Sequence, residues 1–452
     1  MDEEREKMQE EELREIIDAS DSKRLSEYFD NQEPVDFAQT VSLIEDEDEL
    51  RHLLSILDDD ELASLMEESE DRMRLRIARL LNDRRLLVAF EYMQKDDIVD
   101  MLGDFPIGRR KKVINLMKAD DRRVIQKLLD YPEDSAGGLM TTEYIALKET
   151  LSIEKALKKI QEIGPRTEVI ETIYVIDDRR RLVGCVDLRV LLSEPKDTLL
   201  GNIMEENPIT VYPETDQEET AQIVSKYDLM SLPVVSRTNQ ILGIITVDDI
   251  IDVIVDEYDA DMLQMAGVSG EESLDTTLGE SIRFRLPWLL VNLATAFLAS
   301  FVVKMFQSTI EQVVALSAIM TIISGMGGNA GSQTMSILVR QLAQGEITLK
   351  RGLKAFRKEM ELSIINGSVN GFVTGVIVVF MYHNFYLGII TLAAMIGNMI
   401  VSGIFGFLVP IILHRLKADP AVASSIFVTT ATDVLGFFIF LGLAKLFLPV
   451  LI

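Results

Sequence analysis

The residue that most clearly suggests chemistry in this chain is a carboxylate inside a long apolar segment. Asp433 lies near the middle of Ala421–Leu448, where the sequence reads Thr-Thr-Ala-Thr-Asp-Val-Leu-Gly. A charged side chain at the centre of a bilayer costs about 3 kcal/mol or more unless it meets water, a partner or an ion. The basic residue of the same segment, Lys445, is about three helical turns away, so an ion pair within one helix is disfavoured. We therefore interpret Asp433 as part of an ion pathway.

A second polar stretch interrupts an earlier apolar segment, Val313–Leu338. It reads Gly-Met-Gly-Gly-Asn-Ala-Gly-Ser-Gln-Thr from Gly325 to Thr334, and its glycines predict a broken helix that lines a watery cavity. The alternative is an intact helix whose glycines allow close packing. The stretch lacks the Lys-Ser/Thr pair of a phosphate-binding loop. The residues that we expect to line the pathway beside Asp433 are Gly327, Gly328, Asn329, Gln333 and Thr432.

The donor atoms available to an ion at this position are carbonyl, amide and carboxylate oxygens. Such hard ligands suit Mg²⁺ or Ca²⁺ rather than a soft transition metal. One carboxylate per chain is little charge for a divalent cation, so we expect a symmetric homodimer that brings two copies of Asp433 to its axis. The single cysteine, Cys185, and three scattered histidines exclude thiolate clusters and histidine-rich metal sites.

Charge is divided unequally along the 452 residues. Residues 1–280 carry a net charge of −34, whereas residues 281–452 carry +6 and contain every long apolar segment. An acidic region of this size is repelled by nucleic acids and by anionic lipid surfaces, but it suits the binding of cations. We therefore predict a soluble acidic half with no nucleic-acid partner, followed by a half that lies in the lipid bilayer. The charged N-terminus lacks the apolar core of a signal peptide, so the later segments must direct insertion.

The acidic half contains two regions that differ in pattern. Residues 1–132 have apolar side chains at spacings of three and four, acidic connectors and few glycines, which predicts an all-α, superhelical domain. Residues 133–255 contain a repeat in which methionine, strand, helix, strand, turn, strand and helix follow one another twice. Leu-Val-Gly-Cys-Val in the first copy corresponds to Ile-Leu-Gly-Ile-Ile in the second. This α/β repeat resembles a tandem pair of CBS domains, which usually sense a ligand.

The second half contains five apolar segments, each near the length of about 20 residues that a spanning helix needs. They are Leu286–Val303, Val313–Leu338, Leu362–Tyr382, Leu387–Leu413 and Ala421–Leu448. Basic residues concentrate before the first segment and around the second and fourth connections (Arg283, Arg285, Arg340, Lys350, Arg351, Lys354, Arg357, Lys358, Arg415 and Lys417). Because basic residues stay on the cytosolic side, we predict a multi-pass protein of the cell membrane with a cytosolic N-terminus and an external C-terminus.

Several motifs taken together resemble the MgtE family of magnesium channels. They are Glu133–Met140, Arg285–Leu289, Gly327–Gln333, Asp419–Ala421 and Thr432–Gly436. The resemblance runs from residue 133 to the end, and the helical region matches only in kind. It implies a homodimeric, Mg²⁺-selective channel or transporter, not an enzyme, that cytosolic Mg²⁺ closes through a connecting helix. The implied domains are an acidic helical domain (1–132), two CBS domains (133–199 and 200–255), the connecting helix (256–281) and a five-helix transmembrane domain (282–452).

The resemblance also assigns cation-binding roles to particular acidic residues. These are Asp433 in the pathway and Asp419 at its cytosolic mouth, Asp249, Asp252, Glu257 and Asp261 at the end of the second CBS domain and in the connecting helix, Asp216, Glu218 and Asp228 in the second CBS domain, and Asp96 and Asp100 in the helical domain. One acidic position of the family's connecting helix is Ala260 here, so the sensor geometry is expected to differ. The family's CBS pair can also bind ATP, and Thr246 and Asp249 occupy positions where a CBS domain often holds a ribose.

Three other functions compete with this interpretation. A Na⁺- or H⁺-coupled exchanger of divalent cations with the same membrane fold is compatible with every residue named above and stays open. A CBS-regulated anion or solute transporter is disfavoured by Asp433 and by the lack of arginine within the apolar segments. An intramembrane enzyme needs a nucleophile with its base, or a histidine metal motif, and the sequence offers neither.

Overall fold

The structure is a computed structural model that describes residues 2–164, 167, 169–270, 272, 273, 276–343, 349–416, 419–421 and 424–452. The chain divides into two compact units, Met1–Val253 and Ile254–Ile452. Three of the basic residues used above to predict orientation lie outside this description, Lys417 entirely and Lys350 and Arg351 in their side chains.

Residues 2–128 fold into consecutive α-helices, as the apolar spacing predicts. They are α1 (Asp2–Ala19), α2 (Ser22–Asp30), α3 (Pro34–Ser42), α4 (Glu47–Ile56), α5 (Asp59–Glu67), α6 (Asp71–Leu80), α7 (Asp83–Ala89), α8 (Lys95–Gly103), α9 (Ile107–Leu116) and α10 (Ala119–Leu128). An acidic connector begins α5, where the Asp58 and Glu61 side chains form a reciprocal capping box that satisfies free amides of the first turn. On α4 the residues Leu50, Leu53 and Leu54 are buried. The prediction of an all-α domain is confirmed.

An α/β region follows, with the repeated order of elements that the sequence predicts. Its strands are β1 (Ala146–Lys148), β2 (Thr172–Ile176), β3 (Leu182–Asp187), β4 (Glu205–Glu206), β5 (Ser231–Val235) and β6 (Ile241–Thr246), and its helices are α11 (Ile153–Ile163), α12 (Leu188–Ser193), α13 (Gln217–Tyr227) and α14 (Val247–Met265). β1 runs parallel to β2, while β2–β3, β3–β4 and β5–β6 are antiparallel. Tyr174 of the first copy is buried, and its hydroxyl lies 2.7 Å from Ser231 Oγ of the second. The two copies therefore share one packed interface.

The second unit is helical throughout its described elements. They are α15 (Leu278–Met305), α16 (Gln307–Gln312), α17 (Ala315–Ala343), α18 (Leu349–Tyr382), α19 (Phe385–Arg415), α20 (Ser424–Leu446) and α21 (Leu448–Leu451). The five long helices coincide with the five predicted segments. Among the described residues, α15, α18, α19 and α20 are long and apolar enough to cross a membrane. α17 has a similar length, 29 residues, but its glycine, serine and amide residues make it more polar.

The segment predicted as one connecting helix, 256–281, is helical in two parts. α14 ends at Met265 because Gly267 adopts a φ of +79°, a left-handed conformation that glycine allows at the end of a helix. α15 begins at Leu278 behind a capping box. Arg285 of α15 donates hydrogen bonds of 3.0 and 2.5 Å to Glu272 Oε1. The linking segment is thereby tied to the first long helix of its unit.

Candidate functional site

Asp433 lies on α20 and joins that helix to α17. Its side chain is partly buried, and Ser324 Oγ of α17 donates a hydrogen bond to Asp433 Oδ1. A hydroxyl group supplies a hydrogen bond but no positive charge. Among the described residues, no lysine, arginine or histidine forms an ion pair with Asp433 within 4.0 Å. The structure thus gives this carboxylate a polar neighbour without neutralising it.

The expectation of a broken helix at the glycine-rich stretch is wrong. α17 continues without interruption from Ala315 to Ala343. Two of its glycines face neighbouring helices: a Cβ atom at Gly327 would overlap the Asn398 side chain, and one at Gly331 would overlap Val428. Each glycine costs a helix about 1 kcal/mol relative to alanine, and here the close approach of α19 and α20 offsets that cost. The alternative interpretation, tight helix packing, is the one observed.

Two polar side chains of α19 bind carbonyl oxygens of α17 on successive turns. Asn398 Nδ2 donates to the Ile323 carbonyl at 2.7 Å, and Ser402 Oγ donates to the Gly327 carbonyl at 2.7 Å. Both side chains are fully buried. The donors are four residues apart, as are the acceptors, so the two pairs stack along the helices. We call them the α17–α19 ladder; it fixes α17 at the level of Ser324, the residue that contacts Asp433.

This ladder is not among the features predicted from the sequence. Its signal there is the amide of Asn398 in the fourth apolar segment, because any polar group at membrane depth needs a partner. Asn398 also approaches the helix of Asp433, because a Cβ atom at Gly436 would lie 2.6 Å from Asn398 Oδ1. One buried amide of α19 therefore contacts both α17 and α20 near Asp433.

One face of α17 is polar and exposed in the single chain. Asn329 and Gln333 are exposed, and a Cβ atom at Gly328 would meet nothing within 4 Å. Thr321 and Ser336 extend this face at helical spacing. An exposed polar face is costly against lipid, so it has to meet water or another protein surface.

Two of the residues predicted to line the pathway do not lie on this face. Gly327 is buried against α19. Thr432 is fully buried, and its hydroxyl donates to the Thr429 carbonyl at 2.9 Å. Gly328, Asn329 and Gln333 are the predicted lining residues that the structure leaves open.

In the second unit, the end of α14 lies beside Asp419, the residue predicted at the cytosolic mouth. Burial, the charge of Asp419 and that of Glu257 raise the pKa of Asp261 to about 6. Asp419 itself accepts a hydrogen bond of 2.7 Å from the Ala421 amide. Met265, one turn beyond Asp261, packs on an apolar cluster formed by Met335, Val339, Ala421 and Val428. The structure thus brings the last turns of α14 to the ends of α17 and α20.

In the first unit, acidic residues gather where α8 meets the second CBS copy. Burial raises the pKa of Asp97 to about 6; Arg74, whose Nη1 is 3.9 Å from Asp97 Oδ1, opposes this, and the charge of Asp249 adds to it. Burial also raises the pKa of Asp249, whose Oδ2 accepts a hydrogen bond of 2.6 Å from Thr246 Oγ1. The pKa of Glu67 is raised to about 7, chiefly by burial. The sequence prediction names Asp96 and Asp100 on α8, and the structure adds Asp97, on which the charge of Asp249 acts.

The remaining predicted residues do not share one site. Asp216 caps α13 by accepting from the Glu218 amide at 2.9 Å, and Asp228 ends the same helix with a φ of 52°. These two lie about 18 Å apart along the helix and cannot bind one ion together. Among the other predicted residues, Asp96 is buried, Asp100 and Asp252 are exposed, Glu257 is partly buried, and Glu218 accepts from Gln222 Nε2 at 3.3 Å. In the part of the chain that the structure describes, no group of three histidine, cysteine or acidic residues is arranged to hold a metal.

Comparison with family models covers most of the chain. Residues 32–134 match the MgtE intracellular N domain, residues 136–197 and 200–256 match CBS domains, and residues 320–443 match the MgtE model, described as a divalent cation transporter. The "Magnesium transporter MgtE" of Bacillus subtilis is 30% identical over 421 residues, which is 93% of each chain. That of Thermus thermophilus is 32% identical over 340 residues, or 75% of each chain.

Two solved structures resemble the part of the chain that precedes the long apolar helices. "Crystal structure of the soluble part of a magnesium transporter" aligns with a TM-score of 0.53 at 30% identity, over 56% of this chain and 99% of that one. "Crystal structure of the cytosolic domain of the Mg2+ channel MgtE in complex with ATP" aligns with a TM-score of 0.51 at 30% identity, over 53% of this chain and 98% of that one.

Proposed function

Because the chain belongs to the MgtE family of magnesium transporters, we propose that it is a homodimeric, Mg²⁺-selective channel that cytosolic Mg²⁺ closes. The observation that carries the proposal is Asp433, a carboxylate at membrane depth that a hydroxyl contacts and no cation among the described residues neutralises. The exposed polar face of α17, with Asn329 and Gln333, supports a water-filled path between two copies of the chain. Two copies of Asp433 at the axis match the charge of one divalent cation.

Closure by Mg²⁺ is supported by the acidic residues near α14. The charge of Asp249 acts to raise the pKa of Asp97 in the first unit, and the charge of Asp419 acts to raise the pKa of Asp261 in the second. Each pair holds like charges together, so a divalent cation that binds between the members relieves their repulsion. A cation shifts a conformational equilibrium only if it binds one state more tightly. In this proposal the packed state is the one in which the carboxylates are paired, and the cation binds between them.

Orientation and nucleotide binding are finer parts of the proposal. The basic connections favour cytosolic acidic domains and an external C-terminus. ATP binding by the CBS pair is supported by the likeness to the cytosolic domain of a Mg²⁺ channel solved in complex with ATP and by the Thr246–Asp249 pair at the end of β6. Mg²⁺ is in this proposal both the transported ion and the regulator.

Flux into right-side-out membrane vesicles tests the proposed function. With a Mg²⁺ indicator inside and Mg²⁺ added outside, we expect fluorescence to rise at the same rate with or without a Na⁺ or H⁺ gradient. External protease should remove a C-terminal tag and leave residues 1–280 intact. Vesicles without the protein are the control. Flux that requires a Na⁺ or H⁺ gradient contradicts the channel and favours a coupled exchanger, and a protected C-terminal tag contradicts the orientation.

The α17–α19 ladder gives a second test of the pathway. Asn398→Leu removes the amide that binds the Ile323 carbonyl and keeps a side chain that branches at Cγ. An intramembrane hydrogen bond contributes about 1 kcal/mol, so we expect Mg²⁺ flux to fall about fivefold and selectivity over Ca²⁺ to weaken.

Thr391→Val is the matched control for the ladder. Thr391 is also fully buried on α19, but its hydroxyl bonds the Leu387 carbonyl of the same helix at 2.8 Å. We expect this variant to keep normal flux and selectivity at equal abundance in the membrane. If Asn398→Leu changes only abundance and leaves flux per molecule and selectivity normal, the ladder is a packing feature without influence on the pathway.

A further inference from the structure

A basic cavity lies within the first unit, between α10 and the turns of the two CBS hairpins. Its volume is about 350 Å³, within the range of small-molecule sites. Apolar side chains form much of its wall, namely Val124, Leu128, Met140, Ile241 and Leu242. Thr142, Tyr144 and Gln240 add neutral polar groups, and Arg123, Lys127 and Arg180 add three cations. Among the described residues, no carboxylate lines the cavity.

The three cations have no acidic partner in the part of the chain that the structure describes. None of Arg123, Lys127 and Arg180 forms an ion pair within 4.0 Å there. The half of the chain that contains them has a net charge of −34, and other bases in it, such as Lys95 and Lys112, do form ion pairs. The three side chains are exposed to solvent, and like charges that line one cavity without counter-charges repel one another. A bound anion relieves that repulsion.

The backbone of Arg180 provides independent support. Arg180 has a φ of 62°, in the left-handed region, and the matching turn of the second CBS copy has Asn239 there with a φ of 61°. Asparagine tolerates this conformation well, whereas a long side chain pays a cost of about 1 kcal/mol. Arg180 lines the cavity together with Tyr144. Burial raises the pKa of Tyr144, and the positive charge of Arg180 acts to lower it.

From this cavity we infer a binding site for a small phosphate ester with a flat apolar body. The cations suit a phosphate dianion, and the apolar wall with Tyr144 suits the organic part. The site is separate from the Thr246–Asp249 pair, because Leu242 and Thr246 are about 13 Å apart along β6. Since the wall combines α10 with both CBS hairpins, an occupant holds the helical domain against the CBS pair. This inference does not depend on ion transport.

Binding to the full-length protein in detergent tests the site, with 1-naphthyl phosphate as the probe because it lacks adenine and ribose. We expect it to bind measurably by calorimetry. 1-Naphthol lacks the phosphate and inorganic phosphate lacks the apolar ring, so each should bind at least about tenfold more weakly. Neutralising the cations together (Arg123→Gln, Lys127→Gln, Arg180→Gln) should weaken probe binding at least about tenfold. Thr142→Trp, which fills the cavity without changing charge, should do the same.

The matched control changes three exposed lysines of α11 in the same unit (Lys155→Gln, Lys158→Gln, Lys159→Gln). It has the same charge change and should bind the probe normally. Equal loss in the two triple variants would show general electrostatic attraction and overturn the site. Normal binding by the Arg123/Lys127/Arg180 variant, or equal binding of 1-naphthol and its phosphate, also overturns it.

Discussion

Replacing Asp433 with asparagine is expected to reduce Mg²⁺ flux at least about 100-fold. Asparagine keeps the size of the side chain and an oxygen that can accept from Ser324 Oγ, so the change removes little besides the charge. In the proposed pathway the passing cation is the partner of Asp433. Removing one partner of a buried charge pair costs about 3–5 kcal/mol, and a barrier raised by about 2.7 kcal/mol already slows a rate 100-fold. Uptake into proteoliposomes, normalised to the inserted protein, is the measurement.

Two variants of the same helix separate loss of charge from loss of structure. Asp433→Glu keeps the carboxylate but moves it outward, so we expect flux to persist with altered selectivity between Mg²⁺ and Ca²⁺. Thr430→Val removes a hydroxyl that bonds the Ile426 carbonyl of its own helix and should leave flux normal. Normal, selective flux through Asp433→Asn would refute the pathway assignment, although membership of the family would stand.

The sequence predicts the elements of the membrane unit well because their signals are local. Each long apolar segment becomes a long helix, and Asp433 is conspicuous because charge is rare at membrane depth. The conformation of the glycine-rich stretch depends on what surrounds it. Gly327 lies within a continuous helix and admits the Asn398 side chain against its backbone, a contact between residues 71 positions apart in the chain. No local pattern distinguishes a glycine that breaks a helix from one that admits a neighbour.

The acidic residues show the same division between local and distant information. Asp216 and Asp228 stand out in the sequence as acidic residues, but the structure explains them as the two ends of α13. On α8 the sequence prediction names Asp96 and Asp100. In the structure the charge of Asp249 acts on Asp97, which only the position of α8 beside the second CBS copy reveals. Composition predicts a cation-binding region, and only tertiary contacts can select its residues.

Neutralising four carboxylates of α14 is expected to abolish closure by Mg²⁺. The variant combines Asp249→Asn, Asp252→Asn, Glu257→Gln and Asp261→Asn. Without these charges the packed state no longer needs a cation and no longer gains from one, so Mg²⁺ loses its preference between states. Couplings of this kind change an equilibrium by about 5- to 150-fold. We therefore expect flux at high internal Mg²⁺ to exceed that of the parent at least about fivefold.

Limited proteolysis reports the same coupling without relying on flux. Mg²⁺ should protect residues 1–280 of the parent and give no added protection to the α14 variant. A control with the same charge change neutralises four exposed residues of the helical domain (Asp18→Asn, Asp30→Asn, Glu33→Gln, Asp36→Asn) and should keep both protection and closure. If the control variant loses protection and closure to the same extent, the total charge of the acidic half, rather than the positions of the α14 carboxylates, governs the response to Mg²⁺. Met265 of α14 contacts the ends of α17 and α20, so α14 is the element expected to transmit the Mg²⁺ signal. If the α14 variant closes normally, another element must transmit it.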